Sequence, residues 1–275
     1  QRRLADAVRA DDRDAGRLVD AEVEVAEEPR VLRAVLERDV GEPRNAERLV
    51  AHHVRPHALH LGQRAEGVGI GALQDQPLHA IDFGSGKGYL TFALHDYLRN
   101  SLGLEAQVRG VELREDMVRL CNAAAARLEQ PGLLFQHGDV RTYAPEQIDI
   151  MIALHACDIA TDYAIHLGIR AGAQIILCSP CCHKQLRPQL LSPHPLRPIL
   201  QHGIHLGQEA EMLTDGLRAL LLDAAGYDTQ VFEFISLEHT NKNKMILAVR
   251  RPEPVEPGAL LEKIQGISKV HCVAV

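Results

Sequence analysis

The sequence predicts an α/β fold built on a seven-stranded sheet, mostly parallel with one antiparallel strand, and covered by helices on both faces. Three observations carry that expectation. Short apolar runs alternate with helical patterns from residue 78 to residue 250, the pattern of a parallel sheet wound through crossover helices. A glycine turn, Gly84-Ser85-Gly86-Lys87-Gly88, joins the first run to the first helical segment. The last two runs are joined by a polar turn, Glu238 to Lys244, which is too short for a parallel crossover and therefore makes an antiparallel pair.

The elements follow in order. Ala80-Ile81-Asp82 closes an apolar strand, and Tyr89 to Leu98 has helical spacing. Ala106 to Glu112 reads as the second strand and Arg114 to Arg127, rich in Ala and Leu, as its helix. Leu133 to His137 is a short third strand leading into Gly138-Asp139-Val140. Ile148 to Leu154 is almost wholly apolar, as a strand buried on both faces should be. Thr161 to Gly172 is its helix and Ala173 to Cys178 the fifth strand. Thr214 to Ala225 forms an amphipathic helix, followed by strands over Tyr227 to Leu237 and Lys244 to Val249.

The glycine turn is a nucleotide-cofactor cradle, because glycines let the backbone curl closely around a ligand and the helix after it offers unpaired N–H groups. A phosphate-binding loop requires Gly-Lys followed by Ser or Thr, whereas Lys87 is followed by Gly88. A dinucleotide-binding turn places its third glycine one residue later than Gly88 and favours an apolar residue where Asp82 stands. An acidic residue two positions before the turn suits a cofactor with an ammonium and a carboxylate instead of a pyrophosphate, and S-adenosyl-L-methionine has both. Asp82, Gly84, Ser85, Gly86 and Gly88 are therefore candidate cofactor residues.

Ligands of such sheets collect beyond the carboxyl ends of the strands. Glu112 ends the second strand, where a carboxylate can take both ribose hydroxyls. Asp139 follows the third, placed to accept from an adenine amino group, with Val140 as an apolar surface beside it. Singly, each of these acids would be an ordinary solvated turn residue; their order after the Asp82 loop is what makes them candidates.

At this point residues 78–250 resemble the class I S-adenosylmethionine-dependent methyltransferases, with their Rossmann-like sheet. Within that class, Leu154-His155-Ala156-Cys157-Asp158 followed by Ala160-Thr161-Asp162, and Ser179-Pro180-Cys181-Cys182-His183-Lys184, resemble a narrower branch that includes the tRNA acceptor-stem 2′-O-methyltransferase. The resemblance implies cofactor contacts at Asp82, Gly84, Gly86, Glu112 and Asp139, with Leu154 and His155 lining the exit toward the methyl group. It also implies RNA as the methyl acceptor, tRNA or rRNA, at a ribose 2′-hydroxyl or a base nitrogen. Two departures stand out: Asp158 occupies a position where the tRNA enzyme has glycine, and the N-terminal segment carries no zinc-finger cysteines.

His155, Cys157, Cys178, Cys181, Cys182 and His183 lie at or after the ends of the fourth and fifth strands and should share one pocket rim. They are open to three readings. Small polarizable residues pack well beside a cofactor. A zinc site would need convergent ligands, but adjacent Cys181 and Cys182 lack the two-residue gap of a zinc knuckle, and no metal is expected. In the catalytic reading, His155, Asp158 or His183 accepts the proton of a hydroxyl or amine. Alternatively, Cys181 or Cys182 adds to a pyrimidine ring, as RNA cytosine-5 methylation requires. A protein or small-molecule methyltransferase and a non-catalytic cofactor-binding protein are the remaining alternatives.

Composition bounds the rest. With 46% hydrophobic residues over 275 positions, the chain has material for one substantial core. A net charge of −7 argues against a uniformly basic nucleic-acid binder and leaves room for a local basic groove. No membrane span or signal-peptide pattern is evident, and the six cysteines lack the spacing of a secreted scaffold, so a cytoplasmic protein with thiols is expected. Residues 1–77 form a separate extension without Ser, Thr, Lys, Phe, Tyr or Trp. That bias reads either as a charged helical appendage or as out-of-frame translation of a GC-rich gene, and no site is placed there. The segment from Lys184 to Leu213, with four prolines, reads as a long loop shaping an acceptor pocket, and residues 251–275 as a peripheral tail with a short helix near Leu260 to Ile264.

Overall fold

A computed structural model describes residues 77–144, 147–154, 156, 158–191, 196–233, 244–271 and 273. Strand β1 (Leu78–Phe83) leads through the glycine turn into helix α1 (Tyr89–Asp96), which ends in a π-turn over Tyr97–Ser101. There follow β2 (Ala106–Glu112), α2 (Glu115–Arg127), β3 (Leu133–His137), β4 (Ile150–Ala153), α3 (Ile159–Arg170) and β5 (Ile175–Cys178). Two short helices, α4 (Arg187–Leu190) and α5 (Arg197–Leu200), precede the long α6 (Gly203–Ala224). The chain closes with β6 (Tyr227–Glu233), β7 (Lys244–Arg250) and α7 (Gly258–His271).

The strands form one seven-stranded sheet in the order β3-β2-β1-β4-β5-β7-β6. β7 runs antiparallel to both β5 and β6, and the other described pairings are parallel. The chain therefore winds outward from β1 in one direction and returns to β4 for the other. Those two strands flank the crevice at which such sheets bind ligands.

Because β4 and β5 are buried at every position, their side chains feed two cores. Leu78, Ala80, Val108, Ile150, Ile152, Ile175 and Leu177 pack with Phe92, Leu94 and Val118 of α1 and α2. On the other face Ile81, Phe83, Met151, Ile176, Cys178 and Ile246 pack with Ala164 and Ile165 of α3 and Leu222 of α6.

A third cluster corrects two expectations about the segments outside the sheet. Leu186, Leu190, Leu200, Ala210, Leu213 and Leu217 pack together with Ile264 and Val273. The stretch from Lys184 to Leu213 is thus largely helical and not a loop. Pro188 and Pro198 sit in the first turns of α4 and α5, where a missing N–H costs nothing. The tail forms a fourteen-residue helix that lays Ile264 on α6. No described helix is long and apolar enough to cross a membrane.

Candidate active site

The glycine turn is built by backbone geometry. Gly84, Gly86 and Gly88 have φ of 75°, 53° and 75°, values that side chains rarely tolerate. The N–H groups of Gly84 and Ser85 donate to the Val111 carbonyl at 2.8 and 3.3 Å, which sews the turn to the end of β2, and Gly88 N–H donates to Ser85 O at 2.7 Å. A Cβ on Gly88 would lie 2.7 Å from the Phe135 ring, and one on Gly110 would lie 2.5 Å from the same ring. The turn therefore rests on Phe135, which passes over Gly110 of β2. At Gly86 a Cβ would meet only the Gly84 carbonyl oxygen, at 4.0 Å, so this corner of the turn is open.

Three carboxylates step across the ends of β1, β2 and β3. Asp82 pairs in register with Gly110, while Glu112 lies two residues further out beside His137, and Asp139 two residues beyond that. Asp82 is buried and accepts a 2.7 Å hydrogen bond from Thr91 Oγ1 of α1. Burial pushes its carboxyl up to about 7; the Thr91 hydroxyl opposes that shift and the neighbouring Glu112 charge adds to it. Glu112 bridges two segments: Oε2 accepts Gly86 N–H and Oε1 accepts Arg114 N–H, both at 2.9 Å. A carboxylate has about four acceptor sites, so Glu112 retains capacity on both oxygens for a ribose diol. Asp139 is engaged by the Arg141 guanidinium and by Arg141 N–H, and those bonds hold its carboxyl well below the usual range. Val140 is half-buried against the second core and Leu154 against the first.

The donor set fits S-adenosylmethionine on observations independent of sequence motifs. Gly86 leaves an open cradle, Glu112 holds that cradle while keeping acceptor capacity, and the buried Ser85 Oγ has no hydrogen-bond partner among the described residues.

The loops after β4 and β5 carry the other candidates. His155 and Cys157 lie outside the described residues. Asp158 begins α3 with φ 56° and ψ −125°, a conformation that costs a non-glycine residue about 1–3 kcal/mol. Its Oδ1 accepts from Gln185 N–H at 3.3 Å, which ties the β4 loop to the β5 loop. Cys181 and Cys182 are half-buried, with their sulfurs 3.7 Å apart. The His183 ring is lowered in pKa by burial and by Arg218, so it is neutral near pH 7, and its buried Nδ1 has no hydrogen-bond partner among the described residues. Cys178 is fully buried and its thiol is pushed up to about 12, which removes it as a nucleophile. Among the described residues no group of three or more His, Cys, Asp and Glu could hold a metal.

Several participants escaped the sequence reading. Thr91 is one, in the first turn of a helix that the sequence marked only by its spacing. Gly110 carried a usable signal, since glycine inside a strand marks a close backbone approach. The buried pair Arg218 and Asp215 is another: Arg218 donates to both oxygens of the exposed Asp162 at 2.7 and 3.0 Å and lies 3.6 Å from Asp215. Burial raises the Asp215 carboxyl to about 7 against the opposing pull of Arg218.

A pH dependence follows. A carboxyl group raised in the folded state binds a proton there that the unfolded chain, with a pKa near ~3.9, has released at intermediate pH. Its stabilising contribution is complete below that unfolded value and is lost as pH rises through about 7. Asp215→Asn should therefore lose less melting temperature than the wild type between about pH 5 and pH 8. Asp82, which burial raises, and His95 and His183, which burial lowers, are present in both proteins and cancel. Parallel melting curves for the two proteins across that range would contradict the raised Asp215.

Comparison with known proteins gives the following. Residues 64–189 match the family model described as a methyltransferase domain. Among curated proteins, the human and the Macaca fascicularis "Glutathione S-transferase C-terminal domain-containing protein" are each 24% identical over 193 residues, covering 62% of this chain. The chain spans 29% of the length of these relatives. Among solved structures, an S-adenosylhomocysteine-bound methyltransferase from Podospora anserina is 15% identical with a TM-score of 0.49, over 90% of this chain and 96% of that one. Magnesium protoporphyrin IX methyltransferase from Synechocystis, also with S-adenosylhomocysteine, is 14% identical with a TM-score of 0.44, over 91% and 100% of the two chains. The sheet is of the Rossmann-like type, and the family model that matches within it is that of a methyltransferase domain.

Proposed function

Taking residues 64–189 as an S-adenosylmethionine-dependent methyltransferase domain, we propose that this chain transfers a methyl group to RNA, at a ribose hydroxyl or a base nitrogen. The observation that carries the acceptor class is the charge of the segment after β5. From Lys184 to Gln208 there is no acidic residue, in a chain of net charge −7. The same segment holds Lys184, Arg187, Arg197, His202 and His205, all of them exposed. A local run of one sign against an opposite net charge suits a polyanion, since cations that neutralise phosphates release counterions.

The chemistry expected of the site is positional. Bound S-adenosylmethionine supplies an electrophilic methyl on a sulfonium. Glu112 and the Gly86 turn would hold the ribose and Asp139 with Val140 the adenine, and Asp82 would face the amino-acid end. Leu154 and His155 would line the exit toward the acceptor. Neutral His183 would accept the proton of a hydroxyl or amine, and Asp158 would orient that group; much of the acceleration would then come from alignment. The half-buried Cys181 and Cys182 would complete the rim of that pocket. The high pKa of Cys178 counts against cysteine-first chemistry on a pyrimidine at that position.

Salt dependence tests the acceptor class. Binding of single-stranded RNA should weaken with a log–log slope of about −0.7 per phosphate neutralised, and Lys184→Ala with Arg197→Ala should make the slope shallower by about 1.4. A slope unaffected by both substitutions would remove this segment as the RNA-binding face.

A further inference from the structure

We infer that Arg218, a residue of α6 far along the chain from the cofactor motifs, is the positioning residue of the methyl-acceptor loop; this rests on the methyltransferase reading above. Its side chain is 5% exposed, and its fork is divided between two targets. Nε and Nη2 donate to the two oxygens of Asp162, and Nη2 also donates to the backbone carbonyl of Asp158 at 3.0 Å. Asp162 lies one turn into α3 and Asp158 begins it. Arg218 therefore grips the first turn of α3 at its side chain and its backbone together.

The gripped residue is the one described non-glycine residue beside the acceptor side of the sheet that holds a positive φ; the other, Glu129, lies beyond α2. A conformation of that kind persists only where the surroundings over-determine it. At Asp158 they do. Its carbonyl takes both Arg218 Nη2 and the Thr161 N–H, at 3.0 and 3.1 Å, while its carboxylate takes the Gln185 N–H. The Thr161 hydroxyl in turn donates to the Ala156 carbonyl, so the turn is pinned on its preceding side as well. The start of α3 after β4, and His183 ahead of Gln185 after β5, are thereby set relative to each other through one buried guanidinium.

The charges around Arg218 suit a fixed clamp. Asp215, on the same helix and 3% exposed, lies 3.6 Å from Nη1 without a hydrogen bond, and the Lys244–Glu211 pair closes the group on the β7 side. Lysine cannot reproduce this grip, because a single ammonium has no planar fork with which to span a carboxylate and a carbonyl.

Arg218→Lys and Arg218→Met in the full chain test the inference with three readouts: S-adenosylhomocysteine affinity by calorimetry, amide exchange at Thr161, and transfer of tritiated methyl to an RNA fraction. Both variants are expected to bind S-adenosylhomocysteine within about threefold of wild type, since no Arg218 contact reaches the glycine turn. Exchange at Thr161 should accelerate at least tenfold, and transfer should fall at least tenfold through kcat. Introducing Asp158→Gly into Arg218→Lys should return Thr161 exchange toward wild type, because glycine holds a positive φ without help. Loss of S-adenosylhomocysteine affinity in step with transfer in Arg218→Lys would overturn the inference, as would unchanged Thr161 exchange. If the wild type transfers no methyl to RNA, the function proposal fails by itself, and the clamp is judged on Thr161 exchange and its rescue.

Discussion

Glu112→Ala is expected to weaken S-adenosylhomocysteine binding a hundredfold or more while leaving the fold intact. Two separate losses add. The Gly86 and Arg114 N–H groups lose the acceptor that fixes the turn against the start of α2, and the ribose hydroxyls lose the carboxylate proposed to receive them. Hydrogen bonds to a charged group contribute about 1.5–3 kcal/mol each. Losing the equivalent of two, at about 1.4 kcal/mol per tenfold, gives that factor. Glu112→Gln separates the parts, because an amide can still accept from Gly86 and present an oxygen to ribose. It should fall between wild type and Glu112→Ala in a calorimetric titration. Near-wild-type affinity in Glu112→Ala would remove Glu112 from the cofactor site.

Gly88→Ala is expected to be strongly destabilising. The residue sits at φ 75°, where a Cβ costs roughly 1–2 kcal/mol in its own backbone. That Cβ would also lie 2.7 Å from Phe135 and 3.3 Å from the Cys121 sulfur. Phe135 has little room to yield, being buried with its ring centroid 5.3 Å from that of Phe92. Overpacking of this kind adds about 1–3 kcal/mol. At about 2–4 °C per kcal/mol for a domain of this size, the melting temperature should drop by roughly 4–20 °C. Gly86→Ala provides the contrast, since its Cβ meets open space: a smaller drop in melting temperature, with a loss of cofactor affinity. Equal melting temperatures for the two variants would contradict the packing of the turn on Phe135.

Legibility in the sequence divides along physical lines. Strands buried on both faces announce themselves, so the order of elements and the single reversed strand could be read from apolar runs and one short turn. The glycine turn was legible because positive φ leaves a residue-type signature, and Glu112 and Asp139 because strand ends fix where a side chain emerges. Arg218 and Asp215 were not legible. A helix pattern assigns charged residues to the wet face by default, and nothing local says that this pair, three residues apart on α6, faces inward. The segment after β5 was misread for a related reason: its prolines occupy first-turn positions compatible with helix, and Gly203, Gly207 and Gly216 lower the helical signal of α6. Asp158 shows the converse. Its departure from glycine was visible in the sequence, and its cost became legible only with the backbone angle.

The most direct measurement is transfer itself. Purified protein is incubated with methyl-tritiated S-adenosylmethionine and, separately, with RNA, protein and metabolite fractions, beside Glu112→Ala as a control. Tritium should enter the RNA fraction with wild type and fall at least a hundredfold with Glu112→Ala at subsaturating cofactor. Label confined to the protein or metabolite fraction, or transfer to RNA that Glu112→Ala leaves unchanged, would contradict the assignment.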